Sequence, residues 1–330
     1  GWHLDGVTGP DEYSAVADDN VFTNLMAARN LTVAAQACLR HPGLAAELGV
    51  TGQESADWAR CAAAVTVPYD QHLGVHPQAQ GFTNHAVWDF EAYLGRYPLL
   101  LHAPYVQLYR KQVCKQADLL LALHWCGDAF TAEDKARDVD YYERITVRDS
   151  SLSACTQAVM CAEVGHLELA HEYAHEAALV DLRDLHRNSR DGLHIASLAG
   201  AWTALVEGFG GLREHADFLS LDPQLPAGIE RIAFRLRRQG ARLLVEVDHE
   251  KVRVSMRDGA ATHLTLTLAG EQVEVTRSQA IVRPLIHREP LLPRPTQPAG
   301  RHPGVGQRVP GAGDRPPPAA PAHRHRLAHG

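Results

Sequence analysis

The chain has 330 residues, 45% of them hydrophobic and 22% charged, with a net charge of −7. That length holds one large domain or two ordinary ones; the acidic balance disfavours a nucleic-acid partner, and no apolar run approaches the length of a membrane span. Six cysteines without a C-x-x-C pair suit free thiols in a reducing cytoplasm better than a disulfide framework.

The first element is a stiff turn, Gly9-Pro10-Asp11-Glu12-Tyr13. Proline fixes φ, and the preceding glycine permits a sharp backbone path. Adjacent acids point in different directions, so one can be held while the other faces a cleft. Turn chemistry alone fits two readings, solvated surface acids or the presentation of a catalytic acid. The chain opens on Gly1 within what reads as a structured motif, so a fragment of a longer protein is expected.

Asp18-Asp19-Asn20 caps a helix over about 20–39, ended by the breaker His41-Pro42-Gly43. A second helix covers 54–67 and stops at Pro68. Residues 70–104 show no sustained period, and loops of that length are often functional. Residues 105–125 read as a third helix, with Lys111-Gln112 and Lys115-Gln116 four apart on one face and Val113, Leu119, Leu120 and Leu123 on another. That polar face is either a solvated stripe or a lysine and an amide reaching a polyol or an anion. Thr131-Ala132-Glu133-Asp134 caps a fourth helix, and 152–164, 166–185 and 195–209 supply three more. Consecutive helices with short links predict a toroid or bundle.

Arg148-Asp149-Ser150-Ser151-Leu152-Ser153 precedes one of these helices, and Asp191-Gly192-Leu193-His194 opens another. Hydroxyls and free amides at a helix start make an anion site, or an ordinary N-cap. His171-Glu172-Tyr173-Ala174-His175 formally matches the H-E-x-x-H zinc motif, whose third ligand would have to be found elsewhere, for example at Glu207. In a chain with twenty histidines it reads instead as a solvated helix face, and no metal is expected.

Near Phe218 the hydrophobic period switches to two. Ile232, Phe234 and Leu236, then Leu243, Val245 and Val247, then Val252, Val254 and Met256, then Leu264, Leu266 and Leu268 alternate with polar residues. Gln239-Gly240, Asp258-Gly259 and Ala269-Gly270 punctuate them, which predicts a small antiparallel sheet or sandwich. From Ile281 the chain is proline-rich, lacks lysine, and has Glu289 and Asp314 as its only acids. It reads as disordered, either a natural tail or an out-of-frame ending.

Taken in order, these pieces resemble glycoside hydrolase family 65, the inverting phosphorylases of α-glucosides such as maltose, trehalose and kojibiose. The matching stretches are Gly6-Val7-Thr8-Gly9-Pro10-Asp11-Glu12-Tyr13, Phe22-Thr23-Asn24, Lys115-Gln116-Ala117-Asp118, Arg148 to Ser153, and Asp191-Gly192-Leu193-His194 with Ser197-Leu198-Ala199-Gly200-Ala201-Trp202. The resemblance implies a mainly α chain: the second part of an (α/α)6 toroid over 1–216, a C-terminal β-sandwich over 217–280, and a disordered tail over 281–330. It assigns the catalytic acid to Glu12, sugar binding to Lys115 and Gln116, and a phosphate cradle to Ser150, Ser151 and His194.

The implied reaction is inverting phosphorolysis of an α-linked glucose disaccharide to β-glucose 1-phosphate and glucose. It would need no cofactor beyond phosphate as co-substrate and no nucleic-acid or membrane partner. The setting implied is cytoplasmic, with a homodimer open for the full-length protein. Hydrolysis of α-glucosides such as trehalose, or an inactive carbohydrate-binding remnant, are the alternatives. A toroid short of helices would leave an open edge, so the isolated chain is expected to be inactive, with the face of Leu119, Leu120 and Leu123 exposed.

Overall fold

A computed structural model describes residues 1–214 and 218–303 of the chain, and helices dominate up to residue 209. The first helix, α1 (Val21–Arg40), starts where Asn20 accepts the Thr23 amide at 2.9 Å. His41-Pro42-Gly43 ends α1 as expected and also opens a short helix, α2 (Pro42–Glu47). Proline suits that first position because its missing N–H would have had no helical partner there. Thr51 caps α3 (Gly52–Ala64), which packs against α1.

The expected third helix over 105–125 is replaced by three pieces. These are a single turn, α4 (Tyr105–Leu108), and a two-residue strand, β2 (Lys111–Gln112), that pairs in parallel with β1 (Ala86–Val87), followed by α5 (Leu119–Trp125). Lys115-Gln116 therefore lies in a connection, not on a helix face. The physical reason is non-local. The Cys114 amide donates to Ile145 O and the Val147 amide to Cys114 O, both at 2.9 Å, so backbone groups that a helix would use are committed to a distant segment. Leu119, Leu120 and Leu123 are fully buried, which corrects the expectation that they form an exposed patch. Exposed apolar side chains lie instead along the last helix, at Ile195, Leu198 and Trp202.

A reciprocal capping box between Thr131 and Asp134 starts α6 (Ala132–Glu143). It is followed by α7 (Ser153–Glu163), α8 (Leu167–Leu179) and α9 (Ile195–Thr203), the last running into a π-helical turn at Ala204–Phe209. Buried almost all round, α7 forms the centre of this layer. A Cβ at Gly200 would lie 2.6 Å from Cys155 Sγ, so the absence of a side chain there lets α9 close on α7.

The β region comprises β3 (Leu212–Glu214), β4 (Leu219–Leu221), β5 (Arg231–Arg238), β6 (Ala241–Asp248), β7 (Lys251–Gly259), β8 (His263–Leu268), β9 (Glu271–Thr276) and β10 (Ile281–Pro284). They form two four-stranded sheets, ordered β10-β7-β6-β5 and β3-β4-β8-β9. Every pairing is antiparallel except β4 with β8. Gln239-Gly240 and Ala269-Gly270 both hold positive φ at their two residues, as the tightest hairpins require. The alternating apolar faces join the helical residues in one core.

Strand content extends beyond the expected 217–280, with β3 before and β10 after those limits. The reading of 281–330 as one disordered tail is corrected over its described part. Ile281–Pro284 pairs with β7, and residues up to 303 return to the helical region through side-chain bonds that no local period signals. Residues 304–330 lie outside the described residues. Among the described residues, no helix is long and apolar enough to cross a membrane.

Candidate active site

The Gly9–Tyr13 turn is fixed from inside. A Cβ on Gly9 would lie 2.4 Å from Asn20 Nδ2 and 2.5 Å from Asp118 Oδ2, so glycine serves close approach here. Asp11 is fully buried. Its Oδ1 accepts the Lys115 amide at 2.7 Å and the Tyr13 amide at 3.2 Å, and its Oδ2 accepts Gln78 Nε2 at 2.9 Å. The Asp11 amide donates to Asp118 Oδ2 at 3.1 Å, and Asn20 Nδ2 donates to the same oxygen at 3.2 Å. Burial pushes the Asp11 carboxyl up to about 6 against the pull of these donors. Burial, with Asp11's charge added, pushes Asp118 up to about 7. Glu12, with its side chain 56% exposed, turns outward and meets the Lys115 ammonium. Of the two adjacent acids, one anchors and the other is presented.

Tyr13 ties this turn to a second loop. Its buried hydroxyl donates to Asp149 Oδ2 at 2.7 Å and accepts the Leu100 amide at 3.0 Å. Burial and the Asp149 charge raise the phenol's pKa far above the usual range, so it remains a donor. The Leu99 amide also donates to Asp149 Oδ2, at 2.7 Å, and the Asp149 amide donates to Lys115 O at 3.0 Å. Burial pushes the Asp149 carboxyl up, with Arg301 the largest opposing influence. Gln116 Nε2 donates to the Pro10 carbonyl. Glu12, Lys115, Gln116 and the approach to Ser150 thus belong to one hydrogen-bonded network.

Ser150 and Ser151, both half-buried, stand at the start of α7, and Ser150 Oγ accepts the Leu152 amide at 3.3 Å. Arg148 just before them holds φ at 52°, a strained left-handed conformation of the kind that gathers at functional sites. His194 stands at the start of α9, where its amide donates to Asp181 Oδ2 at 2.9 Å and its Nδ1 lies 2.5 Å from Asp181 Oδ1. A carboxylate only accepts, so Nδ1 carries the hydrogen, and Nε2 donates to an anion when the ring carries both hydrogens. His194 is held by Asp181, apart from that hydrogen-bonded network. Its ring lies 6.0 Å from that of His186, which burial and the nearby charges of Arg301 and Arg148 hold below the usual histidine value.

The other motif is structural in its contacts. On α8, Glu172 pairs with Arg294 at 2.6 Å and Tyr173 is buried with its hydroxyl donating to Glu143 Oε2 at 2.5 Å, while Glu207, in the π-helical turn, is taken by His124 at 2.6 Å. Among the described residues, no group of three or more His, Cys, Asp or Glu side chains is arranged to hold a metal ion. The sequence reading gave no role to Tyr13, Gln78, Asp118, Asp149 or Asp181, and of Asp11 and Glu12 it said only that one can be held while the other faces a cleft. Asp118 and Asp149 fall inside the quoted stretches and Gln78 inside the long 70–104 segment, which were the available signals. Nothing in the local sequence marked Arg301.

Residues 1–203 match the glycosyl hydrolase family 65 central catalytic domain, and residues 212–275 match that family's C-terminal domain. The chain is 64% identical over 302 residues to an uncharacterized glycosyl hydrolase of Mycobacterium tuberculosis, covering 92% of this chain and 38% of that protein. A match of that length within 330 residues runs through Arg301 wherever it starts. Identity is 40% over 288 residues to an α,α-trehalose phosphorylase of Geobacillus stearothermophilus, covering 84% of this chain and 37% of the relative. It is 30% over 295 residues to a kojibiose phosphorylase of Halothermothrix orenii, covering 85% and 38%. The chain therefore spans about two fifths of the length of the curated relatives it matches. A solved structure of a putative kojibiose phosphorylase from the human microbiome shares the fold, with a TM-score of 0.73 at 24% identity over 86% of this chain and 39% of that one.

Proposed function

The chain belongs to glycosyl hydrolase family 65, and we propose that it carries the acid and the phosphate cradle of an enzyme for inverting phosphorolysis of an α-linked glucose disaccharide. The products are β-glucose 1-phosphate and glucose. The helical region is, on this reading, the second part of an (α/α)6 toroid. Because the relatives are longer, the activity is that of a full-length protein containing this segment.

The observation that carries the reading is the division of labour between Asp11 and Glu12. A buried carboxylate accepts three hydrogen bonds and pins the turn, which leaves its neighbour solvent-facing beside an ammonium. Glu12, acting as general acid, gives a proton to the glycosidic oxygen as the C–O bond breaks. A phosphate oxygen attacks the anomeric carbon from the opposite face, so the configuration inverts. Phosphate is already an anion and needs no general base, whereas water attacking in an inverting hydrolase needs a second carboxylate. Ser150, Ser151 and His194, at two helix starts, are donors suited to that anion. Lys115 and Gln116 move from Glu12 and Pro10 O onto sugar hydroxyls when substrate enters.

Hydrolysis is the rival, and the name of the 64% identical relative favours it. Against it, the other acids of the network, Asp11, Asp118 and Asp149, are interior, and each already accepts protein hydrogen bonds through at least one oxygen. The test is incubation of the full-length protein with trehalose, kojibiose or maltose, with and without phosphate. Phosphate-dependent β-glucose 1-phosphate is the expected product. Glucose released equally without phosphate would establish a hydrolase, and no turnover a binding remnant. Glu12→Gln should lower disaccharide turnover by about 10²–10⁴-fold, while a glucosyl fluoride, whose leaving group needs no proton, should still react.

A further inference from the structure

The segment after β10 crosses from the β region to the loop that precedes Ser150. Along it, Gln224 Nε2 donates to Ile286 O at 2.6 Å, Arg294 pairs with Glu172 at 2.6 Å, and Gln297 Nε2 donates to Glu143 Oε2 at 3.2 Å. Tyr97 then donates through its hydroxyl to Ala299 O at 2.9 Å, and a turn from Pro298 to Arg301 closes with a 2.9 Å amide bond. Gly300 in that turn has φ at 70°, and a Cβ on it would lie 2.7 Å from Leu94 Cδ1. Any larger residue would be strained at that φ and would have to push the end of the Leu94 side chain aside, so the glycine suits the turn that brings in Arg301.

Arg301, its side chain only 16% exposed, reaches the 147–149 backbone. Its guanidinium donates to Val147 O and, at 2.6 Å, to Arg148 O, and it lies 4.9 Å from the centre of the Tyr97 ring. The Arg148 guanidinium in turn donates to the Arg301 carbonyl and pairs with Glu176 at 3.0 Å. Each arginine therefore grips the other's backbone. Asp149 Oδ1 is buried with no hydrogen-bond partner among the described residues, and Arg301 Nη2, at 3.5 Å, is the charge that faces it. A buried carboxylate left without its counter-charge is strongly destabilising, and a lysine cannot reproduce the planar fork.

We propose that Arg301 is a positioning residue for the phosphorolysis site. Its fork fixes the backbone of 147–149, and through it the Asp149–Tyr13 bond that orients the Glu12 turn and the direction in which Ser150 and Ser151 leave toward α7. This rests on the reading of Glu12 and the two serines given above. Arg301 touches no reacting atom. It acts from the far end of the chain, so the C-terminal segment is part of the site's support.

The experiment compares Arg301→Ala and Arg301→Lys with the unsubstituted full-length protein. Expected are a fall of about 10²-fold in kcat for Arg301→Ala with little change in the disaccharide KM, a smaller fall for Arg301→Lys, and partial recovery of Arg301→Ala by added guanidinium ion. Hydrogen exchange at the Leu99 and Leu100 amides, which donate to Asp149 and Tyr13, should rise in Arg301→Ala before exchange elsewhere. Unchanged kinetics and exchange overturn the proposal. So does a loss of activity that guanidinium does not restore and that accompanies uniformly faster exchange. If Arg301→Ala fails to fold, Arg301→Lys decides by the same kinetic and exchange measurements. Glu12→Gln run in parallel separates the two claims: full activity there defeats the functional reading, while the exchange result still judges the clasp.

Discussion

The Lys115 amide donates to Asp11 Oδ1 at 2.7 Å while the Lys115 ammonium meets Glu12, so one residue holds both acids of the turn by different atoms. The backbone bond joins a buried acceptor to a donor 104 residues away, and the side-chain pair lies at the solvent edge. The first sets geometry. The second is free to exchange for a substrate hydroxyl.

Asp11→Ala should therefore remove position before it removes chemistry. The Lys115 and Tyr13 amides and Gln78 Nε2 would lose their acceptor, and misplacement of an acid by about 1 Å costs roughly 10²-fold in rate. Steady-state kinetics of the full-length variant should show a large loss in kcat. Wild-type kcat would mean that the turn is held by other contacts.

Ser151→Ala and His194→Ala should raise the phosphate KM more than the disaccharide KM. A hydrogen bond to a charged group is worth about 1.5–3 kcal/mol, or roughly 10–150-fold. Asp181→Asn offers an indirect version, because the carboxylate on Nδ1 supports the doubly protonated ring that donates from Nε2. Phosphate titrations at saturating disaccharide measure all three, and an unchanged phosphate KM would move the anion elsewhere.

The buried pair Asp11 and Asp118 should make stability depend on pH. Both carboxyls lie above the ordinary 3.8 in the folded chain, near 6 and near 7, so protonation favours the fold. Their contribution is complete below about pH 4 and is lost as pH rises through 6 to 7. Asp118→Asn keeps an acceptor for the Asp11 amide without the charge. Thermal melts should show the variant more stable than wild type at pH 8, by about 1–3 kcal/mol, with the gap closing toward pH 5. A variant equally weakened at both pH values would count against this account.

Chelators should leave turnover unchanged. Glu172 is paired with Arg294, and the His171 and His175 rings lie tilted at 58° with their centres 4.4 Å apart. One equivalent of tightly held zinc in the purified protein, lost together with activity on chelation, would reverse that reading.

Much of this molecule was legible in its sequence because the relevant forces are local. The caps at Asn20 and Thr131 act within three residues, and the Gln239-Gly240 and Ala269-Gly270 turns follow from which residues tolerate positive φ. Alternation of Leu243, Val245 and Val247 marks the inward face of β6 without reference to anything distant. The ordered stretches around Glu12, Lys115, Ser150 and His194 carried the family resemblance, although not the bonds between them.

Tertiary structure decided the rest. Helical periodicity through 105–125 loses to bonds that Cys114 and Lys115 make with Ile145, Val147 and Asp11. Composition made 281–303 look unstructured, yet Arg301 bonds carbonyls 153 and 154 residues away. Local sequence carries no record of such partners. Which of two adjacent carboxylates is buried was equally invisible, since Asp11 and Glu12 differ by one methylene and their fates depend on Gln78, Lys115 and Tyr13 arriving around one and Lys115's ammonium reaching the other.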